Sequence, residues 1–125
     1  MAKHNEVGSW GEKVATEYFV AKGYDILERN WRLNRLELDI IARTGQRVVF
    51  VEVKTRSSAE NVADLQTLVG NRKLQNMVRA ANAYMKLFNI NFTAQFDIVI
   101  ISGTKENFKL EHFPDAYFPP MKTYR

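Results

Sequence analysis

Two strongly apolar segments joined by a short turn constrain the fold of this chain more than any other feature. Leu36–Arg43 and Gln46–Lys54 are rich in β-branched and aromatic residues, which favour strands. Gly45 is the first of two loop residues between them, a position that glycine takes in type II′ turns. The sequence therefore predicts a β-hairpin in which Thr44 pairs with Arg47.

Counting back from this turn places Asp39 opposite Glu52, and Glu37 opposite Lys54. Because alternate residues of a strand share a face, Glu37 and Asp39 lie on one face of their strand, and Glu52 and Lys54 on one face of theirs. Two carboxylates that face each other across a strand pair repel one another, and an apolar setting strengthens the repulsion. A hard divalent cation with oxygen ligands relieves it. The backbone carbonyl of Val53 is placed to supply a further oxygen. A metal site at Asp39 and Glu52 is one interpretation of this register.

The other interpretation is a structural ion-pair network, in which Lys54 pairs with Glu37 and Asp39 pairs with an arginine. Clusters of charge in proteins are usually of this kind. The position of both carboxylates in the middle of apolar strands favours the site. The residues alone leave both interpretations open.

Apolar periodicity and turn residues predict the element order αβββαββ for the whole chain. Besides the hairpin, we expect a helix over Ser9–Lys22, a strand over Tyr24–Arg32, a helix from Gly70 to about Asn89, and strands over Phe92–Ser102 and Phe108–Phe113. The segment 55–69 has no clear period and is expected to be mostly loop. Ser9 and Glu12 fit the S-x-x-E capping box, which would explain Glu12 without any site.

Two apolar patterns indicate the core. The second helix carries an apolar stripe at helical spacing, formed by Leu74, Met77, Ala81, Tyr84 and Phe88. The run Ile98–Ile101 is apolar without a break, which predicts a strand buried on both faces. His4 and His112 stand alone in the sequence, and we predict no catalytic role for them.

Length and composition fit a single domain over residues 1–125, with irregular termini at 1–7 and 114–125. The absence of cysteine excludes disulfides, thiolate zinc sites and cysteine nucleophiles. No apolar stretch approaches the ~20 residues that span a bilayer, and Met1–Glu6 lacks a signal-peptide core. We therefore expect a cytoplasmic protein without membrane contact. A net charge of +4 hints at a polyanionic partner.

Leu36–Ala42 followed by Phe50–Arg56 resembles the core of the PD-(D/E)xK nucleases. Over residues 8–113 the chain further resembles the YraN-like family of small uncharacterised bacterial proteins, which are similar to archaeal Holliday-junction resolvases. The additional matches are Gly8, Gly11, Glu12, Ala15, Gly23-Tyr24, Asn30-Trp31-Arg32, Lys73 and Phe96-Asp97. This chain departs from the family at Leu36, where glycine is usual, and at Gln95, where arginine is usual.

The resemblance implies a restriction-endonuclease-like α/β fold, with a mixed central sheet flanked by helices. It implies that Asp39 and Glu52 ligate Mg²⁺, with Mn²⁺ as a substitute, and that Lys54 acts in catalysis. Glu12 matches the acidic residue of the first helix that completes such sites. Val53 remains a candidate ligand through its carbonyl.

The implied function is a metal-dependent endonuclease that hydrolyses DNA phosphodiesters, with branched or recombination intermediates as candidate substrates and DNA favoured over RNA. Arg56, Lys73 and Arg72 are the candidates for phosphate contacts, and paired cutting of a junction would need a homodimer. One alternative is a nucleic-acid-binding module that keeps the nuclease fold without catalysis. Another is a structural partner in a larger recombination or uptake complex.

Overall fold

The computed structural model describes residues 4–57 and 69–117, and this part of the chain forms two helices and five strands. The elements are α1 His4–Ala21, β1 Asp25–Leu33, β2 Leu36–Thr44, β3 Arg47–Arg56, α2 Asn71–Leu87, β4 Thr93–Gly103 and β5 Phe108–Phe113. Their order confirms αβββαββ. Of the predicted loop over 55–69, the first two residues belong to β3, and residues 58–68 lie outside the described residues.

The strands form one sheet in the order β1-β2-β3-β4-β5. Neighbours are antiparallel except β3 and β4, which are parallel and therefore need a crossover connection, the part of the chain that contains α2. This mixed sheet confirms the predicted α/β class and is consistent with a restriction-endonuclease-like fold. Neither described helix is long and apolar enough to cross a bilayer.

Each face of the sheet is covered by one helix. Ala15 and Phe19 of α1 pack against one face, and Leu74 and Met77 of α2 pack against the other. Successive residues of β4 alternate between the two cores, with Ile98 and Ile100 on the α2 side and Val99 and Ile101 on the α1 side. The predicted burial of this strand on both faces is confirmed.

The central hairpin has the predicted register near its turn, and the predicted pairs Asp39–Glu52 and Glu37–Lys54 lie beyond the last paired residues. Thr44 pairs with Arg47, and the pairing continues to Ile40 with Val51. Gly45 has φ 60, the left-handed value that the first loop residue of a type II′ turn requires.

The predicted start of the first helix and the predicted burial at the end of the second are wrong. The first helix begins at His4, because residues 4–8 contain no proline and a single glycine does not stop a helix. Ser9 therefore lies inside α1, residues 4–7 are helical, and a capping box no longer explains Glu12. Phe88 is 50% exposed rather than buried, because α2 ends at Leu87 and the helical stripe ends with it.

A buried polar network joins β4, β5 and α1. Asp97 is fully buried and accepts hydrogen bonds from Gln95 Nε2 at 2.9 Å and from the backbone N–H of Asp115 at 3.0 Å. It also bonds His112 Nε2 at 2.7 Å, while His112 Nδ1 lies 2.9 Å from the hydroxyl of Tyr18. His112 is therefore not isolated, and a ring with its proton on Nε2 donates to Asp97 and accepts from Tyr18.

We expect Asp97→Ala to lower the free energy of unfolding by about 1–3 kcal/mol, because it leaves the donors of His112, Gln95 and Asp115 without their acceptor. Urea unfolding followed by circular dichroism measures the change. Asp25→Ala, at an exposed position of β1, is the matched control. Equal unfolding free energies for the two variants would contradict a structural role for the network.

The close approach of α1 to β3 depends on Gly11. A Cβ atom at Gly11 would overlap the γ-methyl group of Thr55, whereas a Cβ at Gly8 would meet open space. Thr55 is a short side chain in β3, so it has little room to move aside. The absence of a side chain at Gly11 thus lets the N-terminal half of α1 lie directly on the sheet.

We expect Gly11→Ala to destabilise the fold by about 1–3 kcal/mol through overpacking. Adding Thr55→Ser, which removes the overlapping methyl group, should restore most of that loss in thermal unfolding. Gly8→Ala is the control in the same helix and should be neutral or slightly stabilising. A loss in Gly11→Ala that Thr55→Ser fails to reduce would show that the contact is misassigned.

Candidate functional site

Asp39 lies at the point where the backbone pairing of β2 with β3 ends. In these two strands the paired residues stop at Ile40 and Val51. Asp39 Oδ2 then accepts a hydrogen bond of 2.8 Å from the backbone N–H of Val53. The carboxylate thus satisfies a strand donor that would otherwise need a backbone acceptor.

The insertion of Asp39 interrupts the alternation of faces along β2. Leu38 and Ile41 both belong to the core on the α2 side, and Ile40 belongs to the core on the α1 side. Strict alternation would put Leu38 and Ile40 on one face. The assumption of regular faces through Glu37, Asp39 and Ile41 is therefore wrong, although the register near the turn is right.

Two predicted site residues are affected by the charge of Asp39. That charge raises the pKa of Glu12, which α1 supplies, and the pKa of Glu52, which β3 supplies. Glu52 is only 7% exposed and Glu12 is half-buried. Neighbouring carboxylates repel one another, and this disfavours the ionisation of all three at once.

The pKa values of all three carboxyl groups are raised. Burial raises the pKa of Glu12 to about 7, with the negative charge of Asp39 as the second cause, against opposing effects of Asn30 and Arg29. Burial also raises the pKa of Asp39, although the Val53 N–H opposes this. Burial and the charge of Asp39 raise the pKa of Glu52 well above its usual range. The nearby positive charges therefore do not fully offset the cost of ionising these three carboxyl groups.

These residues have the chemistry of a site for a hard cation, since every donor is an oxygen. Within residues 4–57 and 69–117, however, no three acidic or histidine side chains are already arranged as ligands of one ion. Binding of one ion by Asp39, Glu12 and Glu52 together would therefore require these side chains to move. The contact shown for Val53 is through its N–H. The ligand roles of Asp39, Glu52, Glu12 and the Val53 carbonyl stay predictions.

The cation of the cluster comes from α2. Lys73 Nζ lies 3.8 Å from Glu52 Oε2 and 3.8 Å from Glu37 Oε2, and Arg32 Nε lies 3.3 Å from Glu37 Oε1. Lys54 is exposed and forms no ion pair with any described residue. The network that the sequence offered as an alternative, with Lys54 on Glu37 and an arginine on Asp39, is therefore not the one present.

The other predicted phosphate contacts lie outside this cluster. Arg56 Nε donates to Ser102 Oγ at 3.0 Å, which ties the end of β3 to β4. Arg72 is exposed in the first turn of α2, next to Lys73 in sequence. Gln95, where the family usually has arginine, is buried and accepts from Arg47 Nη1 at 2.6 Å. Leu36, the other departure, packs against the core on the α2 side.

Asn30 is a site residue that sequence reasoning missed. It has φ 51 in the middle of β1, a left-handed conformation that asparagine tolerates better than most residues. Its side chain hydrogen-bonds Glu12 and so opposes the rise in that pKa. An asparagine inside a strand sequence was the available signal, since such residues are depleted in strands.

The fold and the acidic cluster define an α/β protein of restriction-endonuclease-like architecture with a candidate carboxylate site. A model of the family described as "Uncharacterised protein family UPF0102" matches residues 11–101, and the chain belongs to this family. This confirms the expected membership in a family of small uncharacterised bacterial proteins.

Relatives match over nearly the full chain. A UPF0102 protein of Bacteroides thetaiotaomicron is 45% identical, with 97% of this chain and 99% of that protein covered. UPF0102 proteins of Phocaeicola vulgatus and Christiangramia forsetii are 36% and 42% identical, with 97% and 94% of this chain and 99% and 98% of those proteins covered. These names state the family and no activity.

The raised pKa values predict a stability that falls as pH rises. Between the unfolded value near 4.5 and the folded value near 7, the folded chain holds a proton at Glu12 that the unfolded chain has lost. We therefore expect the melting temperature to decline between pH 5 and pH 8 in a buffer that contains a chelator to remove divalent metal ions. Glu12→Gln should reduce this decline, and Glu17→Gln, at an exposed position of α1, should not. Identical profiles for the wild type and Glu12→Gln would refute the assignment.

Proposed function

We propose that this protein is a metal-dependent nuclease that hydrolyses phosphodiester bonds in DNA. The observation that supports the proposal is the pair of Asp39 and Glu52 on the central hairpin: the Val53 N–H fixes the Asp39 carboxylate, Glu52 is buried beside Lys73, and the charge of Asp39 raises the pKa of both Glu52 and Glu12. A divalent cation would supply the missing positive charge. The resemblance of the hairpin to nuclease cores supports the same function.

In this proposal Asp39 and Glu52 hold Mg²⁺ or Mn²⁺, with Glu12 and the Val53 carbonyl as further ligands. When bound, such an ion polarises a phosphate oxygen and lowers the pKa of a coordinated water. The Val53 N–H fixes the orientation of the Asp39 carboxylate, and Asn30 restrains Glu12. Lys54, exposed two residues after Glu52, would stabilise negative charge on the attacked phosphate.

The start of α2 offers a second supporting feature. Its N-cap is Gly70, which makes no side-chain cap, and the first turn has no acidic residue but contains Arg72 and Lys73. Positive side chains at a helix N-terminus are electrostatically unfavourable unless an anion lies nearby. Glu37 and Glu52 supply an anion to Lys73. For the exposed Arg72, phosphate groups of a nucleic acid would supply it, with Arg56 as a further candidate contact.

The test is cleavage of branched, single-stranded and duplex DNA by the purified protein with Mg²⁺ or Mn²⁺. We expect Asp39→Asn and Glu52→Gln each to reduce the rate at least about 100-fold, and Asp25→Asn to leave it unchanged. The absence of cleavage by the wild type on all three substrates would refute the proposal. Cleavage that survives Asp39→Asn would show that the site lies elsewhere.

A nucleic-acid-binding module without catalysis is the second candidate. The carboxylates are not preassembled as three ligands in the described residues, and this favours it. Such a module would bind DNA with an affinity that falls steeply with salt, because phosphate contacts release counterions. Fluorescence anisotropy across salt concentrations, run beside the cleavage assay, separates the two functions. Preference for a four-way junction and a homodimer would extend the nuclease proposal toward resolvases.

A further inference from the structure

Lys73 occupies a defined position among the acidic residues. Its ammonium group lies 3.8 Å from a carboxylate oxygen of Glu52 and 3.8 Å from one of Glu37, and its side chain is 35% exposed. Glu52 is nearly buried and Glu37 is half-exposed, so Lys73 bridges the inner and outer carboxylates. The lysine is held by two ion pairs from different strands.

The fold fixes the place of this lysine. The next residue, Leu74, is fully buried in the core on the α2 side, and Met77 follows one turn later on the same face. Lys73 therefore lies at the edge of the packed face of α2, where its aliphatic stem is partly covered and its charged end reaches β2 and β3. Rotating the helix to move Lys73 away would expose Leu74.

The positive charge of Lys73 lies beside two carboxylates. Its ammonium group is within ion-pair distance of Glu52 and of Glu37. A lysine with such partners is an ammonium ion at physiological pH. A second cation placed beside Glu52 would stand close to this fixed charge and be repelled by it.

We propose that Lys73 is the built-in cation of the carboxylate site, taking the place beside Glu52 that a second divalent ion would need. Each chain would then bind a single divalent ion, shared between Asp39 and its acidic neighbours. Lys73 acts here as a positioning residue for Glu52 and sets the number of ions. The inference rests on the proposed function, in which these carboxylates bind a divalent cation.

The experiment is a titration with Mn²⁺ alone, in which the free ion is followed by electron paramagnetic resonance. We expect one Mn²⁺ per wild-type chain. Lys73→Met, which keeps the aliphatic stem and removes the charge, should bind a second Mn²⁺ and bind the first about tenfold more tightly. Lys73→Arg should keep the wild-type stoichiometry. Lys86→Met, at an exposed position near the end of α2, is the matched control.

The outcomes separate this inference from the proposed function. Two ions on the wild type, or one ion with unchanged affinity in Lys73→Met, would overturn the role of Lys73 and leave a metal site standing. No ion on the wild type would overturn both. Thermal unfolding of each variant establishes that it is folded. If Lys73→Met does not fold, Lys73→Gln carries the same prediction.

Discussion

The hydrogen bond from the Val53 N–H to the Asp39 carboxylate is the contact on which the site depends. The regular pairing of β2 with β3 ends here, and the bond gives the Val53 N–H an acceptor. The alternation of faces along β2 shifts at the same point, and the charge of Asp39 acts on Glu12 from α1 as well as on Glu52 from β3. A regular strand would direct its side chain to one face only.

Packing on both faces brings the partners of Asp39 to it. On one face, the missing side chain at Gly11 lets α1 lie against Thr55, which places the next residue, Glu12, over the sheet. On the other face, Leu74 anchors α2 and so places Lys73 beside Glu52. The acidic cluster therefore draws on interactions from both cores, and its geometry depends on the stability of the entire sheet.

The parts of this arrangement that were predictable from sequence are those set by local rules. A two-residue loop fixes the register of a hairpin, so counting from Gly45 correctly paired Ile40 with Val51 and brought Asp39 near Glu52. Residues distant in the sequence were not predictable in this way. The crossover between parallel strands determines where Lys73 lies, and no periodicity within α2 reveals which strand its ammonium group faces.

The contacts of His112 were also not predictable from the sequence. Its partners, Asp97 and Tyr18, lie 15 and 94 positions away, and only the pairing of β5 with β4 and the packing of α1 bring them together. A lone histidine in a sequence has no local signal for such a partner. The left-handed backbone at Asn30 is likewise a property of the folded strand. The only sequence signal for this conformation is an asparagine inside a strand, where that residue type is unfavourable.

The balance of charge distinguishes a functional cluster from an ion-pair network that only stabilises the fold. In a structural network each buried carboxylate has a basic partner, since an unpaired buried charge is costly. In the described part of the chain Glu52 shares Lys73 with Glu37, and no basic side chain forms an ion pair with Asp39. Burial raises the pKa of Asp39 and that of Glu52, and the charge of Lys73 offsets this only in part. Perturbed carboxylates of this kind are more typical of functional sites than of supporting structure, because stability alone would favour their replacement.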